Sequence, residues 1–240
     1  MNGQFVPYFD YKIFGGCLST ITLDNRLVIN TINQYSFCVA EHDIDFKRAL
    51  LESDILLPDG IGVVWSNLFL TQKKVKKIAG SDLHLYLLEK INKEGGKCFY
   101  LGSSEEVLEK IGNRLSVEYP NIQFSSFSPA FTSEFSEEDS TEMIAKINEF
   151  CPDVLFVGMT APKQEKWVNS HKHLLKANVI SSIGAVFDFY AGTMQRPSSI
   201  WINLGLEWFG RFLTEPKRMW KRYFYFGPIF FLKVLSKKLD

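Results

Sequence analysis

The 240-residue sequence predicts an α/β fold: a Rossmann-like, mostly parallel sheet with helices on both faces, followed by a C-terminal helical appendage that docks on a membrane. Three observations predict it. Short β-branched or aromatic runs alternate with stretches of helical periodicity, the pattern of βαβ units. The strand-like runs DVLFVG (153–158) and NVISSIG (178–184) read as fully buried. The composition changes near residue 198, where the body (1–197) gives way to a basic, aromatic tail (198–240).

The elements follow in order. LVINTI (27–32) is a strand and DIDFKRALLES (43–53) a helix. DILLPDG (54–60) is a short strand closed by a Pro-Asp-Gly turn. Ser81 is expected to cap a helix that carries Leu83, Leu87, Leu88 and Ile91 on one face. KCFYLG (97–102) is a strand, and Ser103 with Glu106 forms a capping box for a helix bearing Val107, Leu108, Ile111 and Leu115. NIQFSSF (121–127) is a strand, followed by a Ser-rich loop and a helix with Met143, Ile144 and Ile147.

Composition excludes several classes. With 46% hydrophobic and 22% charged residues the chain is neither disordered nor of low complexity. Lys+Arg and Asp+Glu both total 27, so the basic excess of a bulk nucleic-acid binder is missing. Cys17, Cys38, Cys98 and Cys151 show no metal-ligand spacing and read as reduced, mostly buried thiols of a cytosolic protein. The N-terminal MNGQFVPYFDYKIFGG lacks the basic and apolar regions of a leader. YFYFGPIFFLKVL (223–235) falls short of the ~18 apolar residues of a membrane span and is broken by Gly227, Pro228 and Lys233.

The zero net charge conceals an asymmetry. Arg211 to Lys238 holds eight positive charges against Glu215 alone, which leaves that stretch at +7 and the remainder at −7. Eleven of the 35 aromatic residues fall in the last forty positions. Such a stretch reads as a solvated helix, as a nucleic-acid contact, or as a segment docked on anionic lipid. The interleaving of cations with Trp, Tyr and Phe favours lipid.

In open parallel sheets ligands sit at the carboxyl ends of the strands. Five polar or glycine-rich segments fall there: Thr31 with Asn33, Pro58-Asp59-Gly60, Gly102-Ser103-Ser104, Gly158 to Gln164, and Gly184 to Asp188. LGSSEE would aim backbone N–H groups and a helix N-terminus at an anion such as phosphate. Neither GxGxxG nor GxxxxGK[ST] is present, which argues against dinucleotide-dependent dehydrogenases and P-loop NTPases. Asp59 reads either as ordinary turn chemistry or as a carboxylate able to take a proton from an attacking hydroxyl. Gln164 and Glu165 enter a helix from a loop. Asp188, between apolar neighbours, reads as a satisfied buried carboxylate or as a partner for a ligand hydroxyl or base edge.

LLPDGIGVVW, AGSDL, FVGMTAPKQEKW, GAVFDFYAGT and LGLEWFGRFLTEPKRMWKRY occur in this order. Together they resemble the WecG/TagA/CpsF family of bacterial glycosyltransferases, glycosyltransferase family 26, over residues 27–232 or so. The resemblance implies transfer of a hexose derivative from a UDP-sugar to an undecaprenyl-diphosphate-linked sugar, with inversion and without a metal or other cofactor. N-acetylmannosamine or its uronic acid would be the sugar moved, in cell-surface polysaccharide or teichoic acid synthesis. It implies Asp59 as the general base and Thr31 and Asn33 facing it, with Ile32 where the family usually has Pro. It implies Gln164 near the donor, Asp188 at the uridine side, and Arg211, Arg218 and Lys221 as cations from the tail. Lys77 stands where Arg is usual, which keeps the charge and loses bidentate geometry. Thr160 replaces a common Gly, and RPSSIW departs from the usual segment.

The expected partners are therefore a UDP-sugar donor, an undecaprenyl-diphosphate-linked acceptor and an anionic membrane surface, with no nucleic acid. The protein is expected in the cytoplasm, peripheral on the inner face of the membrane. Apolar helix faces leave homo-oligomerisation open. Two rivals stand beside this reading: a UDP-glucose-type transferase in exopolysaccharide assembly, and a non-catalytic nucleotide-sugar-binding scaffold.

Overall fold

The computed structural model describes residues 4–23, 26–195, 201 and 207–239. It opens with an antiparallel hairpin, β1 (Phe5–Tyr8) against β2 (Tyr11–Phe14). Phe9 takes a left-handed backbone (φ 52°) in the two-residue turn. The main sheet has six parallel strands: β3 (Leu27–Ile32), β4 (Ile55–Pro58), β5 (Lys97–Gly102), β6 (Gln123–Phe127), β7 (Val154–Gly158) and β8 (Val179–Ser182). Their order is β4-β3-β8-β7-β5-β6. The α/β expectation holds, with a sheet of the predicted strands and helices on both faces.

One face is covered by α4 (Gly80–Glu94), α5 (Glu105–Glu118) and α8 (Val186–Ala191). Leu83, Leu87, Ile111 and Phe187 pack there against Ile29, Val154 and Phe156. The opposite face is covered by α6 (Glu137–Phe150) and α7 (Lys163–His171), through Met143, Ile147, Trp167 and Val168 against Leu155, Val157 and Ile180. Both faces of β7 are thus apolar and buried, which accounts for its uninterrupted hydrophobic run. A third cluster joins the hairpin to α1 (Gln34–Ala40), α2 (Ile44–Leu51) and α3 (Ile61–Thr71).

Two caps differ from the sequence expectation. The helix after β5 is capped by Ser104, whose Oγ accepts from Val107 N–H, while Ser103 turns the chain in a left-handed conformation (φ 62°). The next residue is free to cap only because Ser103 makes that turn. Helix α4 starts at Gly80, ahead of Ser81, because Asp82 reaches back to accept from Ala79 N–H. Two of the four cysteines, Cys17 and Cys151, are exposed, so the thiols are not mostly buried. Cys151 lies in a left-handed position that closes α6 (φ 52°).

The tail is helical where described: Glu207–Thr214, Pro216–Trp220, a π-helical turn Lys221–Tyr225, and a closing helix Phe226–Leu239. The closing helix lies in the third cluster, with Phe230 and Val234 buried and the Phe230 ring 5.4 Å from Phe37. Lys233 adds an ion pair to Glu41 at 2.7 Å. Among the described residues no helix is long and apolar enough to cross a membrane.

Candidate functional site

The carboxyl edge of the sheet carries the predicted residues in two groups. The first stands at the ends of β3 and β4. Asp59 N–H donates to Ile32 O at 2.9 Å, which clamps the Pro-Asp-Gly turn to the end of β3. Gly60 (φ 112°) then redirects the chain into α3, a conformation costly for any residue with a Cβ. Ile78 N–H donates to Pro58 O at 3.0 Å, so Lys77 is held beside the same turn. Thr31, Asn33, Asp59 and Lys77 therefore stand on neighbouring stretches of backbone, and all four are half-buried. Asn33 also caps α1: its Oδ1 accepts from Ser36 N–H (3.0 Å), and Ser36 Oγ accepts from Asn33 N–H (2.7 Å). That box fixes the Asn33 rotamer and leaves its amide nitrogen to donate elsewhere.

The second group surrounds a cavity of about 990 Å³. Its walls are the turn from Gly102 to Val107, the loop Ser128 to Thr132 with Phe135, the turn Gly158 to Thr160 with Lys163, and Gly184, Ala185 and Asp188. The strand order explains its place. The chain leaves β5 toward β6 and leaves β7 toward β8, so these neighbouring strands send their connections apart and open a crevice between them. The backbones come close at its floor: a Cβ at Gly102 (φ 110°) would sit 2.6 Å from Gly158 O. Thr31, Asn33 and Asp59 do not line this cavity. From β4 to β7 is three strand spacings, ~14 Å.

The cavity's charge bears on which ligand groups it suits. The helix N-terminus after LGSSEE carries Glu105 and Glu106 in its first turn, which oppose a phosphate there. With Asp188 on the facing wall, the cavity offers acceptors for hydroxyl and N–H donors rather than a cradle for anions. Lys163 is the cation at its rim. Its Nζ donates to Thr132 O (2.6 Å) and lies 3.5 Å over the Phe135 ring, and burial lowers its pKa. It pins the 128–135 loop.

Gln164 is buried beneath the β7–α7 turn. Its Oε1 accepts from Met159 N–H (3.1 Å), and its Nε2 donates to Glu165 Oε1 (2.9 Å). The side chain thus holds the cavity turn in shape. Asp188 is half-buried, and Thr193 Oγ1 donates to its carbonyl at 3.2 Å.

The tail touches sequence neighbours of both groups. The Arg211 guanidinium lies 5.3 Å from the Phe189 ring, one residue from Asp188. Its buried Nε has no hydrogen-bond partner among the described residues. Lys221 is exposed, 5.9 Å from Phe226. The Arg218 side chain lies outside what is described. Arg222, not singled out from the sequence, stacks 4.5 Å over Tyr35, two residues after Asn33. Its signal was available only as one more charge in a basic run.

The pattern of the glycosyl transferase WecG/TagA/CpsF family matches residues 14–240. A Bacillus subtilis (strain 168) protein named N-acetylglucosaminyldiphosphoundecaprenol N-acetyl-beta-D-mannosaminyltransferase is 32% identical over 224 residues, covering 92% of this chain and 83% of its own. A Staphylococcus aureus (strain NCTC 8325 / PS 47) protein of the same name is 30% identical over 214 residues, covering 89% and 82%.

Proposed function

The chain belongs to the WecG/TagA/CpsF family and is a glycosyl transferase; from that premise we propose that it moves N-acetylmannosamine, or its uronic acid, from a UDP-sugar to an undecaprenyl-diphosphate-linked sugar. The named relatives act on N-acetylglucosaminyldiphosphoundecaprenol, which supports GlcNAc as the acceptor sugar. The reaction serves cell-surface polysaccharide or teichoic acid synthesis, at the inner face of the membrane.

The observation that carries this reading is the division of the carboxyl edge. One end gathers Asp59, Thr31, Asn33 and Lys77 about a single turn, and the other holds an acceptor-rich cavity at the switch point of the sheet. An extended nucleotide sugar fits such a span. Uridine lies in the cavity, where Asp188 accepts from its base or ribose. The sugar lies toward β3 and β4.

The chemistry is an in-line displacement. The acceptor hydroxyl oxygen attacks the anomeric carbon as Asp59 takes its proton. The bond to the β-phosphate oxygen breaks with its electron pair, and the configuration inverts. Thr31 and the Asn33 amide orient the sugar. Negative charge grows on the departing diphosphate, and Lys77, with Arg211, Arg218 and Lys221 from the tail, meets it in a site partly shielded from water.

A donor panel tests the sugar. UDP release is measured with a soluble GlcNAc-diphosphate-lipid analogue and UDP-N-acetylmannosamine, its uronic acid, UDP-N-acetylglucosamine and UDP-glucose. Acceptor-dependent release is expected with the mannosamine donors. Release with UDP-glucose alone would replace the proposal by the exopolysaccharide rival. UDP binding without turnover on any donor or acceptor would favour a scaffold.

A further inference from the structure

The region that prompts a second step is helix α3, immediately after Asp59. Three large apolar side chains on one of its faces point away from the core: Trp65 (63% exposed), Leu68 and Phe69. Residues three and four apart share a helix face, so they form one patch. The closing helix packs beside α3 and continues it. Lys238 Nζ lies 5.5 Å from the Phe69 ring, and Phe231, Leu232, Leu235 and Leu239 are exposed along that helix.

The segments that carry this patch have charge of one sign, although Lys233 of the closing helix pairs with Glu41 of the body. Residues 61–81 contain Lys73, Lys74, Lys76 and Lys77 and no acidic residue. Residues 216–239 contain seven Lys or Arg and no acidic residue. Lys73, Lys74 and Lys76 are exposed directly after α3. Protein–protein interfaces are depleted in lysine, whereas apolar side chains flanked by lysines suit the interfacial zone of anionic lipid.

We infer that helix α3 is itself a membrane contact: Trp65, Leu68 and Phe69 enter the interface of an anionic bilayer while the lysines after the helix meet the headgroups. This rests on the membrane-peripheral reading above and adds to it. The catalytic body, and not only the tail, touches the lipid. The consequence is geometric. Asp59 precedes Trp65 by six residues, a helix rise on the order of 10 Å. Docking α3 therefore holds the proposed base close to the lipid-contacting side chains, within about 10 Å along the helix.

Co-sedimentation of the full chain with vesicles tests it, comparing phosphatidylglycerol–phosphatidylcholine mixtures with phosphatidylcholine alone. Trp65→Ser/Phe69→Ser and Lys73→Glu/Lys74→Glu are compared with wild type and with the tail variant Leu232→Ser/Leu235→Ser. Circular dichroism melts check that each variant folds. Wild type is expected to bind the anionic vesicles, and each α3-region variant to lose about tenfold or more in partitioning. Wild-type partitioning by both of these variants, with loss only in the tail variant, would overturn the role of α3 and leave the tail docking and the transfer reaction standing. No binding of wild type to anionic vesicles would overturn this inference and the membrane reading together, while the donor panel stands apart. A wild-type dimer in the absence of lipid that becomes monomeric in Trp65→Ser/Phe69→Ser, with vesicle binding unchanged, would assign the face to a second copy and overturn it as well.

Discussion

Glu165 is a buried carboxyl with one oxygen held by Gln164 and the other, Oε2, without a partner among the described residues. Burial pushes its pKa from 4.5 to about 7. The folded protein therefore keeps the proton where the unfolded chain has lost it. Stability falls as pH rises from about 4.5 to about 7, by about 3 kcal/mol in all. Glu165→Gln keeps the acceptor for Gln164 and removes the titration. Chemical denaturation is expected to show the variant more stable than wild type at pH 8, with the difference shrinking toward zero at pH 4.5. His84 acts in the opposite sense. It is enclosed by Tyr100, Phe156 and Tyr190, with Nε2 2.6 Å from Tyr100 Oη, and burial lowers its pKa to about 3. The unfolded chain takes up that proton first, so stability is lost as pH falls from about 6.5 toward 3, and a His84→Gln variant is expected to show a shallower acid limb. Gln164 and Glu165 were legible as the entry from a loop into a helix. Their division of labour was not, since it depends on Met159 N–H arriving from the preceding turn.

At the scale of elements, the closing helix decides how the tail relates to the body. It is apolar on two sides: Phe230 and Val234 face the core, and Leu232, Leu235 and Leu239 face outward. Phe230→Ala is expected to cost about 3–5 kcal/mol in a denaturant melt. Leu232→Ala, at an exposed position, is expected to cost a small fraction of that. The sequence pattern was sufficient for the parallel strands, because runs such as VLFVG are short, β-branched and bounded by turn residues before the next helical pattern. It was insufficient for the hairpin Phe5–Phe14, whose turn uses Phe9 in a conformation that favours Gly or Asn. The misplaced caps have the same origin. Ser103, Ser104 and Ser81 are equivalent by composition, and only the path of the turn decides which one caps a helix.

Over the whole molecule, the opposed charges of body and tail become a spatial arrangement. Lys73, Lys74 and Lys76 follow the exposed face of α3 and Lys238 of the tail lies against its Phe69, whereas Glu105, Glu106 and Asp188 frame the cavity. The residues at the ends of β3 and β4 were legible because motif and strand end coincide. The extent of the cavity was not, since it follows from the order β8-β7-β5, which no local pattern encodes. Turnover and UDP binding by Asp59→Asn, beside wild type, test the proposed reaction most directly. A base role for Asp59 predicts a loss of ~10²–10⁴ in acceptor-dependent UDP release, with UDP affinity unchanged. Wild-type turnover by Asp59→Asn would contradict it.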